Sequence, residues 1–440
     1  MTDTAPAAPS ADGRTPDQAA GPVPGWTAPS GLGTSAARVA ARFAQALHEP
    51  PAGAPVGAQP PAAPPATAAV TAPITAPTRT VPVTQVLPGA SAASITQALA
   101  TAPTAPVGAV TDPAYAERPW GDGSAPPLYV PVAERVDDAL TEVVEDLLVD
   151  WGRECGFRGE ELDQLRAAGF GWLAVLTHTD TDDPQRLLVA ARLNAAWWAA
   201  DDLYADDSGM GATPAALPPR LALVMSAMDP VPPTGRFTAP LEEALRSEPV
   251  LVALRSAVDH LARHGTPAQV QRVCYSTFAM FVSWDAYAAW RHTGQYPPAW
   301  EYLAARQHDS FYTSMTVVDV VGGYELPANL YYDPRVRQAA FRAGTAAVIV
   351  NDLMSVAKDA ADEVQVCNLV LQVAADRRCS LAEATGVAVD LHNRLVRDFE
   401  ADHRELAALP SPELHRFLRG LRAWMGGGFE WHNTNPRYRS

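Results

Sequence analysis

Helical periodicity is the sequence feature that most restricts the fold of this chain. From Glu134 onward, apolar residues recur three and four positions apart, as on one face of an α-helix, and no stretch alternates polar and apolar residues as a β-strand does. Several helix starts carry an N-capping residue followed by proline, or a capping box. These starts are Asp183-Pro184, Thr266-Pro267 with Gln269, Asp333-Pro334, and Ser380 with Glu383. The pattern predicts an all-α domain.

The same periodicity sets the helix boundaries. The expected helices span residues 134–155, 160–178, 184–206, 214–228, 248–263, 267–292, 298–321, 334–361, 380–407 and 413–432. No segment alternates strand with helix and no repeat of fixed period occurs, which disfavours an α/β fold and a solenoid.

The first 115 residues differ sharply in composition from the rest. They are rich in Ala, Pro, Thr and Gly: 21 of the chain's 41 prolines lie in residues 1–120, and residues 1–110 contain only four acidic and four basic residues. A segment with so few large apolar groups cannot offset the entropy lost on ordering. We therefore expect a disordered extension over residues 1–115 and one helical domain over residues 116–440.

The charge balance excludes several functions. The net charge of −16 belongs to residues 111–440, so the clustered lysine and arginine that bind nucleic acid are missing, and an anionic membrane surface is disfavoured. No segment approaches the roughly 20 apolar residues that cross a bilayer, and the N-terminus lacks signal-peptide features. The four cysteines form no CxxC pair, which disfavours a zinc ribbon or a disulfide framework. A cytoplasmic protein without nucleic-acid partner or membrane insertion is the simplest expectation.

Lysine is almost absent. Lys358 is the sole lysine among 33 basic residues, so no Gly-Lys pair of a phosphate-binding P-loop exists. A Schiff-base enzyme would have to use Lys358 itself.

An acidic cluster ends the predicted helix 184–206. Asp202 and Asp206 are four residues apart and share a face, with Asp201 adjacent to it. Mutual repulsion and the helix dipole both disfavour carboxylates at a helix C-terminus. A bound hard cation, Mg²⁺ or alternatively Mn²⁺, would offset both costs. A solvated acidic helix end is the other interpretation.

A second polar cluster lies within the predicted helix 334–361. Asn351, Ser355 and Asp359 follow at intervals of four residues, so they drift only about 40° per step and form one oxygen-bearing stripe. Amide, hydroxyl and carboxylate oxygens suit Mg²⁺ when waters and a substrate phosphate complete its octahedron. Lys358 lies beside this stripe, although ordinary polar residues near a helix end would give a similar pattern.

Two oxygen-rich sites on different helices suggest metal ions that bridge an acidic protein and an anionic diphosphate. Arginine would complete such a clamp. Arg306 lies 45 residues before Asn351, and Arg437-Tyr438 lies near the C-terminus. Each arginine taken alone could equally be a surface residue.

Together these motifs resemble bacterial class I terpene cyclases. The DDxxxxD run, the NDxxSxxKD stripe, the upstream arginine and the terminal Arg-Tyr pair occur in that family's order and spacing, over roughly residues 125–440. The proline-rich extension, Tyr204 inside the acidic motif and the ending from Arg422 to His432 narrow the resemblance. They are typical of members that ionise a 2-methylated geranyl diphosphate, close a bicyclic skeleton and capture water. The expected fold is the class I terpenoid synthase helical bundle.

The resemblance also implies a metal site with three Mg²⁺ ions. Asp201 would bind two ions, supported by Asp202 and Asp206. The stripe would hold the third ion through Asn351, Ser355 and Asp359. One departure stands out, because the family usually ends this motif with Glu and Asp359 is one methylene shorter.

The resemblance further implies a prenyl diphosphate substrate. Three basic residues would contact its diphosphate, and Tyr438 would help to close the site; the three are Arg306, Lys358 and Arg437. In such cyclases the residues after the arginine, here Asp309 and Ser310, link diphosphate binding to the cavity. A homodimer is a further expectation.

Aromatic side chains are expected to enclose the resulting allylic cation through cation–π attraction. The candidates are Trp197 or Trp198, Phe278, Phe281, Trp284, Phe311 and Trp431. Plain core packing is the alternative for each.

Several other functions compete with this interpretation. A mono- or sesquiterpene cyclase using unmethylated geranyl or farnesyl diphosphate would share every motif. A prenyl-chain elongase normally carries two aspartate-rich motifs, whereas this chain has an Asn/Ser/Asp stripe. His308-Asp309 suggests an HD-type phosphohydrolase, but His260, His264 and His292 form no convincing ligand set. A non-enzymatic helical scaffold with a docking tail is the alternative from a different class.

Overall fold

The structure is a computed structural model. It describes residues 113–206, 213–295, 297–362 and 366–435. The expected disordered extension lies outside the described residues, apart from its last three positions.

Helices dominate the described chain, which confirms the predicted fold class. Sixteen α-helices occur among the described residues. In chain order α1 to α16 are Asp138–Cys155, Glu160–Ala168, Phe170–Thr177, Pro184–Ala200, Leu217–Met228, Thr238–Ser247, Pro249–His264, Pro267–Thr293, Ala299–Arg306, Tyr312–Met315, Val318–Val321, Ala328–Tyr331, Pro334–Ala361, Leu369–Arg377, Leu381–Leu406 and Pro412–Thr434. A π-helix spans Asp201–Asp206 and a short 3₁₀ helix spans Gly235–Phe237. None of the described helices is long and apolar enough to cross a membrane.

A small hairpin precedes the helices. Strand β1 (Tyr115–Arg118) pairs antiparallel with β2 (Leu128–Pro131), and β2 packs against α15 and α16. Tyr115 is buried in the core, so the folded region begins before the boundary expected after residue 115. Both strands precede Glu134, so they lie outside the segment whose periodicity predicts helices.

The capping signals are confirmed. Asp183 and Asp333 each accept a hydrogen bond from a backbone N–H in the first turn of α4 and α13. Thr266 with Gln269 and Ser380 with Glu383 both form complete capping boxes. These caps satisfy N–H groups that the first helical turn leaves without partners.

Two predicted helices are broken. The helix expected over 160–178 is interrupted at Gly169, whose positive φ of 70° places it in the left-handed region that favours glycine. The helix expected over 298–321 separates into α9, α10 and α11. At this second break the Ser310 hydroxyl donates to the Gln307 carbonyl and accepts from the Tyr312 N–H. Such local bonds compete with helical hydrogen bonds.

The helix expected over 184–206 changes type near its end. It is α-helical to Ala200 and becomes a π-helix over Asp201–Asp206. Single π turns inside helices often mark functional sites. Helices α6, α12 and α14 were not expected from the sequence.

Contacts between helices bring together the elements that carry the predicted site residues. Helix α13 packs against α15 and α16, and α3 packs between α16 and α4. A Cβ added at Gly427 of α16 would lie 2.4 Å from the Leu176 carbonyl oxygen of α3, so glycine is required at this crossing. This packing sets α4, α8, α13 and α16 around one cavity.

Candidate active site

A cavity of about 310 Å³ lies between these helices. Asp201 lines it at the start of the π-helix, and Asn351, Ser355 and Asp359 line it from α13. The two oxygen-rich faces therefore border the same space, as the sequence predicts. Arg306 and Lys358 line the cavity as well.

The stripe of Asn351, Ser355 and Asp359 on α13, here called the α13 stripe, is positioned by hydrogen bonds from a buried asparagine. The Asn368 side-chain nitrogen donates to Asp359 Oδ2 at 2.8 Å and to Ser355 Oγ at 3.3 Å. The Ser355 hydroxyl donates to Asp359 Oδ2 at 2.6 Å. Asn368 is buried at the N-terminus of α14, so its position is fixed by that helix start. The shorter Asp359 side chain is thus held beside Ser355.

Arg306 is the centre of a buried charge network. Its Nη2 donates to Asp352 Oδ1 at 2.7 Å and to Asn351 Oδ1 at 3.2 Å, and its Nη1 donates to Asp309 Oδ2 at 2.7 Å. The Tyr302 hydroxyl donates to the other oxygen of Asp352 at 2.9 Å. Arg306 therefore connects the break after α9 to the oxygen-bearing stripe of α13.

This network keeps Arg306 charged. Burial disfavours the guanidinium cation, but Asp352, Tyr302, Asp309 and Tyr287 together outweigh that cost and raise the pKa of Arg306. The Nε of Arg306 is buried and lacks a hydrogen-bond partner among the described residues.

The acidic motif is supported at its far end. Arg291 of α8 donates to the Ala205 carbonyl at 2.8 Å, and the buried Tyr204 hydroxyl donates to Glu248. Burial, reinforced by Glu248, raises the pKa of Tyr204, so this phenol remains a neutral donor. Asp202 is not among the residues that line the cavity. The Asp206 side chain lies outside the described residues.

Aromatic side chains form much of the cavity wall. Trp197, Trp198, Trp284, Phe311 and Trp431 line it as expected. The expectation is wrong for Phe278 and Phe281, which pack within the core instead of lining the cavity.

Several lining residues escaped the sequence reasoning, among them Phe170, Tyr287 and Arg291. Tyr287 and Arg291 follow Trp284 by three and seven positions on α8, so helical spacing from one correctly chosen tryptophan could have found both. Phe170 follows the break at Gly169, and its ring lies 5.6 Å from Trp198 and 6.1 Å from Trp431. No periodicity signals that contact.

Hydrogen bonds connect the end of α16 to residues at the cavity wall. The Trp431 indole donates to the Gly169 carbonyl at 3.0 Å, and the Asn435 side chain donates to the Ala168 carbonyl at 3.0 Å. Ala168 lines the cavity. The expected site residues Arg437 and Tyr438 lie outside the described residues.

The donors at the site suit a hard cation. Carboxylate, amide and hydroxyl oxygens from Asp201 and the α13 stripe border the same cavity. Within the described part of the chain, no group of three or more His, Cys, Asp or Glu side chains is arranged to hold a metal. A histidine-rich centre of the HD type is therefore not found there.

The chain is similar in sequence to known proteins of one metal-binding family. Residues 192–398 match the family described as terpene synthase family 2, C-terminal metal binding. The chain is 37% identical to a 2-methylisoborneol synthase of Streptomyces ambofaciens over 326 residues, which cover 73% of each protein. It is 28% identical to a (+)-T-muurolol synthase of Streptomyces clavuligerus over 320 residues, or 71% of this chain and 73% of that protein.

A solved structure is also similar. It is the crystal structure of 2-methylisoborneol synthase from Streptomyces coelicolor A3(2) in complex with Mg²⁺ and 2-fluoroneryl diphosphate. It superposes with a TM-score of 0.67 at 33% identity, covering 76% of this chain and 98% of that chain.

The helical fold, the paired oxygen-rich faces and these relatives define the class. The chain belongs to the class I terpene synthase family and is a terpene cyclase, a lyase that acts on prenyl diphosphates. Within that family it is similar to 2-methylisoborneol synthases.

Proposed function

We propose that this enzyme converts (E)-2-methylgeranyl diphosphate and water into 2-methylisoborneol and diphosphate in a Mg²⁺-dependent reaction. The observation that carries the proposal is the convergence of Asp201, Asn351 and Arg306 on one aromatic-lined cavity. The relatives named above support the particular substrate and product.

The metal ligands would come from both sides of the cavity. Asp201, supported by Asp202 and Asp206, would serve two Mg²⁺ ions, and the α13 stripe of Asn351, Ser355 and Asp359 would serve a third. Mn²⁺ is an alternative occupant with the same oxygen preference. When bound, such ions stabilise negative charge on a departing diphosphate.

The basic residues would hold the diphosphate in place. Arg306 presents a fixed positive charge next to the stripe, and Lys358 lines the same cavity. By the family resemblance, Arg437 and Tyr438, which lie outside the described residues, would complete the clamp. These contacts favour ionisation only to the extent that they bind the departing diphosphate more strongly than the intact ester.

The cavity wall would then protect the allylic cation. Trp197, Trp198, Trp284, Phe311 and Trp431 line the cavity and would exclude water from it. Each correctly oriented ring contributes about 1–2 kcal/mol when the cation is desolvated. The cavity volume of about 310 Å³ lies within the roughly 300–1,000 Å³ typical of ligand sites.

Product analysis tests the proposal directly. Purified enzyme would be incubated with Mg²⁺ and with geranyl, 2-methylgeranyl or farnesyl diphosphate, and the products separated by gas chromatography. We expect 2-methylisoborneol from the 2-methylated substrate at the highest kcat/KM. A dominant sesquiterpene from farnesyl diphosphate would replace this proposal with the alternative that the muurolol synthase relative suggests. Absence of diphosphate release from all three would contradict the proposed substrates.

A further inference from the structure

The buried imidazole of His432 lies directly behind Asn351. Its Nε2 is 3.3 Å from Asn351 Nδ2, and its Nδ1 is 2.7 Å from the Gly428 carbonyl oxygen one turn earlier on α16. Only 1% of His432 is exposed, and it is not one of the residues that line the cavity. It therefore contacts Asn351 from the side away from the proposed substrate.

The hydrogen-bond partners define the tautomer of His432. The Gly428 carbonyl can only accept, so Nδ1 must carry the proton. In the neutral ring, Nε2 is then an acceptor and must face a donor. The group that faces Nε2 is the Asn351 amide nitrogen at 3.3 Å, which can only donate.

The tautomer in turn orients the Asn351 amide. Because Nε2 accepts, the amide must turn its Nδ2 toward His432 and its Oδ1 the opposite way. Arg306 imposes the same orientation independently, since guanidinium groups only donate and its Nη2 lies 3.2 Å from Asn351 Oδ1. Two constraints from different helices thus fix the Asn351 amide with its oxygen toward Arg306, which lines the same cavity.

We propose that His432 is a positioning residue that holds the Asn351 amide oxygen in the orientation required of a metal ligand. The inference rests on the proposed Mg²⁺ site. Partners of metal ligands that lie outside the coordination sphere generally change metal affinity or activity by about 10- to 100-fold when removed.

Binding of Mg²⁺ with inorganic diphosphate, measured by isothermal titration calorimetry, tests this role without turnover. We expect His432→Phe to weaken binding by roughly 10- to 100-fold. His432→Gln should restore most of the affinity, because its amide can donate to Gly428 and accept from Asn351. The matched control is His392→Phe, which removes another buried histidine bonded to a neighbouring asparagine, Asn393.

The outcomes separate the two proposals. Wild-type protein that binds no Mg²⁺ and diphosphate would contradict the proposed function itself. Normal binding by His432→Phe, or an equal loss in His392→Phe, would overturn the positioning role and leave the proposed function intact. Circular dichroism at each titration temperature would confirm that the compared variants are folded.

A spectroscopic measurement on wild-type protein avoids any risk of misfolding. Imidazole ¹⁵N NMR should show His432 with a protonated Nδ1 and an unprotonated Nε2, and Asn351→Ala should shift the Nε2 resonance. An Nε2–H tautomer would overturn the inference, because the amide would then face His432 with its oxygen.

Discussion

The two oxygen-rich sides of the cavity are built differently. On α13, Asn351, Ser355 and Asp359 have side-chain partners that are themselves buried, including Asn368 and His432. On the opposite side, the π-helix Asp201–Asp206 is held through a backbone carbonyl and through Tyr204. Asn368 and His432 contact side chains of the proposed ligands on α13, whereas Arg291 and Glu248 contact Ala205 and Tyr204 of the π-helix that carries Asp201.

This difference between the two sides predicts which substitutions should affect metal binding. Removing a partner of the α13 stripe frees a ligand directly, so Mg²⁺ affinity should fall. Removing a support of the π-helix leaves the ligands on an intact turn, so the effect should be smaller and more evenly divided between binding and stability. Direct removal of a ligand should exceed both.

The largest effect is expected from Asn351→Ala and Asp201→Ala. Each should lower kcat by at least roughly 10²–10³-fold, as loss of a central charge-stabilising contact does. Diphosphate release measures the loss, and far-UV circular dichroism should show unchanged helicity. Asp150→Ala, at an exposed aspartate of α1, is the control. Near-normal activity in either variant would remove that side from the metal assignment.

The next effect is expected from Asn368→Ala. The change leaves Asp359 and the Asp352 carbonyl without their amide donor and removes the cap of α14, so the free energy of unfolding should fall by about 1–3 kcal/mol. The KM for Mg²⁺ should rise about 10-fold. Asn393→Ala, which loses comparable bonds to Tyr129 and Pro127, should leave that KM unchanged. If both variants raised it equally, the contrast between the two sides would fail.

A smaller effect is expected from Arg291→Met. Loss of the bond to the Ala205 carbonyl should destabilise the end of the π-helix by about 0.5–1.5 kcal/mol. We expect kcat/KM to fall several-fold with little selective change in the KM for Mg²⁺. Steady-state kinetics at varied Mg²⁺ would show this, with Arg246→Met at an exposed position of α6 as control. A loss as large as that of Asp201→Ala would mean that Arg291 binds substrate directly.

The smallest effect is expected from Tyr204→Phe. One buried hydroxyl partner of Glu248 disappears, so the melting temperature should fall slightly while kcat remains within a few-fold of wild type. Because the raised pKa keeps this phenol protonated, the stability difference should be constant across the neutral pH range. Thermal unfolding at several pH values checks both statements. A difference that grew as pH rose toward alkaline values would contradict them.

Sequence reasoning succeeded where one local rule was sufficient. Helix α13 occupies 334–361 as expected, because Asp333 caps it and no competing signal lies within it. The spacing of Asn351, Ser355 and Asp359 on an uninterrupted helix therefore places them on one face. The breaks near Gly169 and Ser310 could not be assigned in the same way, since each depends on local bonds that compete with a plausible helical pattern.

The sequence by itself determined the helical class and the oxygen-bearing stripe, because capping and helical period act over a few residues. Only the tertiary structure decided that Asp201 meets Asn351 across one cavity, that Phe278 and Phe281 face the core, and that His432 stands behind the Asn351 amide. Those relations join residues of different helices. They depend on how the helices pack and on which buried donor is paired with which acceptor. The spacing of residues within one helix determines neither of these.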